Sequence, residues 1–409
     1  MVRPHSRGAN PIIVSPVPTK NTRAGDHGCP GLRADVRNTN FSPAGPGPGF
    51  APMFVIRTSA RRGRRAAAGL PAGPIPAKHR GRVSQTEITI LRELLAADPA
   101  PVSGTRLAKQ LGVSRVAVWM HLQKLAQQGF AFEARRSVGY RMTRTPPHLH
   151  ATLVKAYLSG RPRPPHLVCL DRVDSTNSEA ERQLAGGCAV PLVILAREQT
   201  AGRGRRGRAW HSPATGNLYS TFVFRPKLEP ALMQDFTLWM GLNICELIAN
   251  FCKVSPGLKW PNDLLIGDRK VGGMLTEARI DADQIRDLVF GLGLNLNGRL
   301  ADLPRDLQRT ATTLAEVTGR SLDLNRFAAA LIGRVLTAYG QFVDGHYRDK
   351  FAELWARYDV LRGQPVTVTQ GHRTFAGTAT GIDDEGSLIV RLTGGGTERF
   401  RAGEVTLGR

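Results

Sequence analysis

The chain of 409 residues is long enough for two or three folded domains, and its 41% hydrophobic and 22% charged residues are ordinary for soluble proteins. Its formal charge of +23 is not ordinary and favours anionic partners such as nucleotides or DNA. No apolar run reaches the length of a membrane span, and residues 1–82 lack the apolar core of a secretory signal. We therefore expect a cytoplasmic protein that makes no use of a membrane.

The first 82 residues form a distinct basic segment. They hold 14 Lys and Arg against 2 Asp and Glu, with 12 of the 27 prolines and 11 of the 44 glycines. Such a segment has too little apolar surface to offset the entropy lost on ordering, so it is predicted to be a disordered arm. It is either a nucleic-acid-binding arm or a solvated tail, and its few aromatic residues favour the tail.

Residues 83–146 have the pattern of a winged helix–turn–helix domain. One helix is predicted over 84–97, and two shorter helices follow within 101–130, the second capped by Ser114. Residues 130–142 then alternate apolar and polar side chains, as two short strands around a basic turn do. This order of elements is typical of winged DNA-binding heads.

Residues 150–360 are predicted to form a mixed domain, so the fold class is α/β (α+β). The predicted strands are 166–173, 191–198, 217–224, 264–266, 271–279 and 287–296, and the predicted helices begin near 174–177 and cover 230–252, 310–318 and 323–343. Short alternating strands with Gly-rich turns follow from Pro365. They predict a small β-barrel over 361–409.

The sharpest chemical pattern is the segment EQTAGRGRRGRAW, residues 198–210. Its glycines let the backbone move and approach a ligand, and its arginines supply forked donors suited to carboxylate and phosphate. A basic run of this kind is often only a polybasic patch. Its place between two predicted strands favours a catalytic loop instead.

Three further segments carry polar or small residues suited to a ligand site. LKWPNDLLIGDRKVGGMLTE (258–277) combines cations, an amide and a carboxylate, as nucleotidyl transfer with Mg²⁺ requires. DSTNSEA (174–180) supplies hydroxyls and an amide, although such residues also cap helices. GLGLNLN (291–297) is a predicted strand whose glycines permit the close approach of a flat ligand.

In this order and spacing, the four segments resemble the biotin–protein ligase family. With the winged head and the C-terminal barrel, the resemblance extends over residues 84–409 to the bifunctional ligases that are also biotin operon repressors. It implies a central domain of the biotin/lipoate ligase type and a C-terminal barrel like that of Src-homology-3 domains. It also implies an enzyme that makes biotinyl-5′-AMP from biotin and ATP with Mg²⁺, and passes biotin to a lysine of a carboxylase's biotin carboxyl carrier protein.

The same resemblance implies roles for individual residues. The biotin site would be formed by Ser175, Thr176, Asn177, Gln199, Arg203, Gly204, Arg205, Lys270, Gly291 and Gly293. Lys270, Arg205 and Asp263 would be catalytic, with Lys270 on the reacting carboxylate and α-phosphate oxygens. The nucleotide would contact Arg208, Asn262 and Asn295, and Asp263 would hold Mg²⁺.

In the head, the residues expected to contact operator DNA are Ser114, Arg115, Trp119, His121, Arg135 and Arg136. One head covers one half-site, so a homodimer is expected when the adenylate is bound. The alternative is a head that only shapes the ligase. Two other functions stay open: a lipoate–protein ligase on a related fold, and a catalytically inactive, ligand-sensing transcription factor.

Overall fold

The computed structural model describes residues 84–281 and 283–408, together with the backbone of strand β1 (Val55–Thr58). In this part of the chain, every helix is too short or too polar to span a bilayer. Apart from β1, the predicted basic arm lies outside the described residues.

The N-terminal head is a winged helix–turn–helix, as the sequence predicts. Its elements are α1 (Gln85–Ala97), α2 (Gly104–Leu111), α3 (Arg115–Gln127), β2 (Ala131–Arg135) and β3 (Gly139–Arg144). Gly112 ends α2 with a φ of 63°, a left-handed conformation that turns the chain toward α3. Ser114 caps α3 by accepting a hydrogen bond from the Ala117 amide. Apolar residues at helical spacing, among them Ile90 and Leu107, form a small hydrophobic core of the head.

Helix α4 (Ala151–Leu158) joins the head to the central domain and is not among the predicted elements. Leu153 and Ala156 pack into the core of the head, whereas Val154 and Leu158 pack into the core of the central domain. Because both of its faces are buried, the helix is apolar nearly all round. It therefore lacks the one-sided periodicity by which helices are recognised in a sequence.

The central domain is built on one mixed sheet. Its strands are β4 (His166–Val173), β5 (Leu192–Gln199), β6 (Leu218–Phe224), β7 (Pro256–Lys259), β8 (Asp263–Ile266), β9 (Arg269–Asp281) and β10 (Gln284–Leu294). The spatial order is β4-β5-β6-β10-β9-β8-β7, in which β4 and β5 are parallel and the other neighbours antiparallel. Val193 and Leu195 face one side of the sheet, Leu192 and Ile194 the other, and both sides are buried.

Helices cover both faces of this sheet. The helices of this domain are α5 (Thr176–Ala185), α6 (Met233–Cys252), α7 (Arg305–Gln308), α8 (Leu314–Thr318), α9 (Leu324–Val343) and α10 (Arg348–Tyr358). Ala180 and Leu184 of α5 pack on one face, and the long helices α6 and α9 pack on the other. Strand β7 and helix α10 were not predicted, whereas the other long elements lie where the sequence places them.

The helix predicted over 310–318 is wrong in its first half, because α8 begins only at Leu314. The amide of Lys270 donates to the carbonyl of Thr310 over 2.8 Å, and the amide of Thr312 donates to the carbonyl of Lys270 over 2.9 Å. Residues 310–312 thus pair with the start of β9 as a strand would. This long-range pairing outweighs the local helical preference and holds the backbone of Lys270 in place.

The C-terminal part is a five-stranded antiparallel sheet, the small β-domain that the sequence predicts. Its strands are β11 (Pro365–Gln370), β12 (Arg373–Ile382), β13 (Leu388–Leu392), β14 (Thr397–Phe400) and β15 (Glu404–Leu407), in the order β14-β13-β12-β11-β15. Val366, Val390 and Phe400 join the core of the central domain. The carbonyl of Gly386 accepts a hydrogen bond from Trp260 Nε1 over 3.0 Å. The C-terminal sheet is therefore packed against the central domain.

Strand β1 lies within the segment that the sequence predicts to be a disordered arm. It pairs in parallel with Glu277–Ile280 of β9. The short β8 pairs only with Arg269–Gly273 of β9, which leaves the edge beyond it open. Because an unpaired strand edge exposes backbone donors and acceptors, the edge provides partners for these four residues of the arm.

His150 lies at the junction between head and central domain. Its amide donates to Asn325 Oδ1 over 2.7 Å, its Nε2 lies 2.9 Å from Gln128 Oε1, and its ring packs edge-on against Phe130. Its Nδ1 is buried and has no hydrogen-bond partner among the described residues. Burial, and then the neighbouring His148, lower the pKa of His150 to about 4.

This histidine should make the junction sensitive to acid. The folded chain holds His150 neutral, whereas the unfolded chain takes up the proton below about pH 6.5. The stabilisation is therefore present above about pH 6.5 and is lost as the pH falls toward 4. We expect His150→Gln to reduce the loss of unfolding free energy between pH 6.5 and 4, measured by urea unfolding. His346→Gln, at an exposed position, is the control. Equal pH slopes for the two variants would contradict the prediction.

Candidate active site

A cavity of about 310 Å³ lies over β9 and β10, under the loop 198–210. Its lining includes every residue that the sequence analysis assigns to a ligand site. These are Ser175, Thr176, Asn177, Gln199, Arg203, Gly204, Arg205, Arg208, Asn262, Asp263, Lys270, Gly291, Gly293 and Asn295. Four segments that are distant in the sequence thus form one site, because they lie on or directly after strands of one sheet, in which β6 alone separates the pair β4-β5 from the group β10-β9-β8-β7.

Two glycines of β10 form part of the floor of this cavity. A Cβ at Gly291 would lie 2.3 Å from Asn177 Oδ1, and a Cβ at Gly293 would lie 2.4 Å from Trp210 Nε1. The two positions are on the same face of one strand, about 7 Å apart. Asn177 and Trp210 therefore lie side by side along β10, at a depth that only glycine allows.

The Asn177 end of the cavity is buried and polar. Ser175, Thr176 and Asn177 are each 3–4% exposed. The Thr176 amide and hydroxyl donate to Gln199 Oε1 over 2.8 and 3.0 Å, and Gln199 Nε2 donates to Ser212 Oγ over 2.9 Å. Ser175 stands at the N-cap of α5, but its side chain makes no capping bond. Helix capping therefore does not account for this hydroxyl.

The other end of the cavity is cationic. Arg205 donates to Asn262 Oδ1 over 3.0 Å. Burial, followed by the nearby Arg206, lowers the pKa of Arg205 to about 10. Burial also lowers the pKa of Lys259, which lines the same wall. With a pKa of about 10, Arg205 remains charged at neutral pH although it is only partly exposed, so an anion bound beside it would be stabilised.

Two ion pairs complete this end. Lys270 Nζ lies 2.6 Å from Asp263 Oδ1 and 5.3 Å from the centre of a Trp210 ring. Arg208 pairs with Glu404 of β15, and the hydrogen bond from Arg208 lowers the pKa of that carboxyl. The C-terminal sheet therefore supplies a side chain to the rim of the cavity.

Sequence reasoning missed several residues of the site. Trp210 and Glu277 belong to the quoted segments but received no role. Glu277 is buried behind Asn177, whose Nδ2 donates to it over 2.8 Å. Glu404 follows Arg208 by 196 positions, and nothing in the sequence associates the two.

The six residues expected at DNA lie in the head. Four of them, Ser114, Arg115, Trp119 and Arg136, are exposed and take part in no described ion pair. His121 Nδ1 lies 3.3 Å from Glu87 Oε1, and Arg135 donates to Glu133 over 2.7 Å. Ser114 is the cap of α3. Contact with a phosphate by Arg135 would thus replace an existing ion pair.

Three known sequence families match parts of the chain. The biotin/lipoate A/B protein ligase family matches residues 169–295, an HTH domain matches 86–141, and the biotin protein ligase C terminal domain matches 362–408. These ranges coincide with the central sheet, the head and the C-terminal sheet.

Curated relatives match along most of their length. The bifunctional ligase/repressor BirA of Bacillus subtilis is 30% identical over 314 residues, which is 75% of this chain and 94% of the relative. The bifunctional ligase/repressor BirA of Escherichia coli is 31% identical over 71% of this chain and 88% of its own. Among solved structures, the biotin protein ligase of Aquifex aeolicus in complex with biotin and ATP is 29% identical, with a TM-score of 0.52 over 60% of this chain and 99% of that chain.

The glycine floor leads to a prediction about stability. A methyl group at Gly293 would overlap the Trp210 ring, and overpacking of this kind costs about 1–3 kcal/mol. We expect Gly293→Ala to lower the free energy of unfolding by that amount in urea titrations. Gly340→Ala is the matched control, since a Cβ there meets nothing within 4 Å and α9 should gain up to about 1 kcal/mol. A Gly293→Ala variant as stable as the wild type would show that the floor tolerates side chains.

Proposed function

This chain belongs to the biotin–protein ligase family, and we propose that it activates biotin with ATP to biotinyl-5′-AMP and passes the biotinyl group to a lysine of a biotin carboxyl carrier protein. It is a ligase that also carries the DNA-binding head of the bifunctional repressors. The observation that supports its chemistry best is one cavity that joins a buried polar end to a cationic end along β10. We further infer that it works in the cytoplasm, where ATP and carboxylases are available.

The polar end favours biotin over lipoate. A cyclic urea offers two N–H donors and a carbonyl acceptor, which need partners when they leave water. Thr176, Asn177 and Gln199 present hydroxyl and amide groups there, and they are held by hydrogen bonds among themselves and with their neighbours. A dithiolane ring has no N–H or carbonyl for these groups, which would leave buried polar atoms without partners.

The cationic end suits the joining of two anions. In the first step a biotin carboxylate oxygen attacks the α-phosphorus of ATP, forming the mixed anhydride and releasing pyrophosphate. In the second step the acceptor amine attacks the acyl carbon, forming the amide and releasing AMP. Lys270 would stabilise the negative charge that develops on the oxygens around the α-phosphorus, Arg205 would hold the phosphate of the adenylate, and the loop would exclude water from the anhydride.

A Mg²⁺ ion would be bound mainly by the nucleotide. Among residues 84–281 and 283–408, no three His, Cys, Asp or Glu side chains are grouped as a metal site. Asp263 offers a single carboxylate, and Mg²⁺ is commonly held by one or two carboxylates together with substrate phosphates. The ion would supply neutralisation of phosphate charge, with Asp263 as its protein ligand and Asn262 beside it.

The ligase assignment is tested with a carrier domain. The domain is incubated with this protein, MgATP and either biotin or lipoate, and then weighed by mass spectrometry. We expect addition of biotin to one lysine and little addition of lipoate. Preferential lipoylation would favour the lipoate ligase alternative, and no modification by either acid would favour an inactive ligand sensor.

Two substitutions should separate roles within the site. Lys270→Ala removes the cation nearest the reacting centre, so adenylate formation should slow by roughly 100-fold or more. Arg205→Gly should still form biotinyl-AMP but release it faster, because the loop loses the guanidinium that contacts Asn262. Pyrophosphate release and adenylate escape are measured for each, with the exposed Lys350→Ala as control. Equal loss of adenylate formation in both variants would refute these roles.

The head supports a regulatory function that depends on the same cavity. A single winged head covers one half-site, so we propose that the adenylate-bound chain forms a homodimer on a palindromic operator. Head and central domain share α4, and the Asn325 side chain at the start of α9 accepts a bond from the His150 amide. A change in the central domain can therefore reach the head through packed elements.

Operator binding should strengthen when biotinyl-AMP occupies the site. A coupling of about 1–3 kcal/mol would shift operator affinity roughly 5- to 150-fold. DNA from upstream of biotin genes is titrated with apo and with adenylate-loaded protein at one salt concentration. Arg136→Ala, at an exposed wing position, should weaken both curves and reduce their salt dependence. Coincident curves for apo and loaded protein would show that the head is no biotin switch.

A further inference from the structure

Glu277, on β9, is a buried carboxylate with an unusual pair of partners. The residue is 6% exposed, and it lies behind the cavity wall. One of its oxygens, Oε2, accepts both a hydrogen bond from Asn177 Nδ2 over 2.8 Å and one from Arg203 Nη2 over 2.7 Å. The same atom thus contacts the polar end of the cavity and the beginning of the arginine loop.

The carboxylate sets the orientation of the Asn177 amide. An ionised carboxylate only accepts hydrogen bonds, so the NH₂ group of Asn177 must face Glu277. The Thr221 hydroxyl donates to Asn177 Oδ1 over 2.6 Å and fixes the other end of the amide. One N–H and one lone pair of this amide remain for a ligand in the cavity. Gly291 leaves them accessible, because any Cβ there would collide with Oδ1.

The same carboxylate holds the base of the loop. Arg203 forms a β-bridge with Ala209, so its position sets where the turn between them lies. Its guanidinium reaches Glu277 and, at 3.3 Å, Glu181 of α5. A buried carboxylate that loses its cation is strongly unfavourable. Opening of the loop at Arg203 would leave Glu277 with Asn177 as its remaining described donor.

We propose that Glu277 is a positioning residue that couples occupancy of the biotin head-group site to closure of the arginine loop. When the loop opens, Glu277 loses its hydrogen bond from Arg203, and the Asn177 amide can move toward the carboxylate to replace part of that interaction. A ligand that holds the remaining N–H and lone pair of Asn177 prevents this shift and makes opening more costly. By thermodynamic reciprocity, a closed loop strengthens binding of the head group. The inference rests on the proposed ligase function, since biotin is the ligand that would engage Asn177.

The test uses Glu277→Gln in the full chain, which keeps the size and an acceptor oxygen but removes the charge. We expect weaker biotin binding by calorimetry and faster release of preformed biotinyl-AMP, each by a factor in the range of about 5- to 150-fold. Glu181→Gln is the comparison variant, because Glu181 contacts Arg203, whereas the carboxylate that accepts from Asn177 is that of Glu277. Because this change loosens the loop without altering a contact of Asn177, reciprocity predicts faster adenylate release together with weaker biotin binding, both smaller than in Glu277→Gln. Urea unfolding confirms that both variants are folded.

A second variant shows whether Glu277→Gln acts only through the lost contact with Arg203 or also through Asn177. Thr221→Val removes the bond that orients Asn177 but leaves the Arg203–Glu277 ion pair intact. Coupling predicts that it also speeds adenylate release, although Thr221 does not belong to the loop. Release unchanged in Thr221→Val, or biotin affinity unchanged in Glu277→Gln, would overturn the coupling. Failure of the wild type to form biotinyl-AMP would instead overturn the proposed function.

Discussion

Strands β9 and β10 pair antiparallel along most of their length, with Gly273 opposite Gly293 and Leu275 opposite Gly291. This register places three side-chain-free positions beside one another in the middle of a closely packed sheet. The floor is therefore low enough for Asn177 and Trp210 to lie over it. If β10 were shifted by one residue relative to β9, each of its side chains would point to the opposite face of the sheet. Side chains would then fill the cavity in place of Gly291 and Gly293.

The cationic end of the cavity imposes a second constraint on the structure, because several positive side chains lie close together where few water molecules can reach them. Asp263 and Glu404 hold Lys270 and Arg208 by ion pairs, whereas Arg205 has the neutral Asn262 as its partner. A nucleotide would exchange these internal partners for phosphate oxygens. The site is thus prepared for anions without the cost of burying several unpaired charges, and Asp263 becomes available when Lys270 turns to substrate.

The arrangement also shows how a regulatory head can be attached without a long linker. Helix α4 belongs to two cores at once, and the His150 amide hydrogen-bonds the Asn325 side chain of α9. The C-terminal sheet is joined as closely, through Trp260 and through Glu404 at the rim of the cavity. The head, the central sheet and the C-terminal sheet therefore meet through packed side chains.

Local patterns in the sequence were enough to predict the order of the three parts and most of the long helices and strands, because periodicity, glycine and charge act over short distances. The residues expected at the cavity came from the resemblance to the biotin–protein ligase family. The sequence could not reveal α4, whose two buried faces remove the periodic signal, or the extended residues 310–312, whose pairing with Lys270 is long-range. Contacts such as Glu277 with Arg203 and Arg208 with Glu404 were decided only by the tertiary structure. The packing of the arginine loop against the central sheet and the C-terminal sheet, and not any local pattern, brings these charges together.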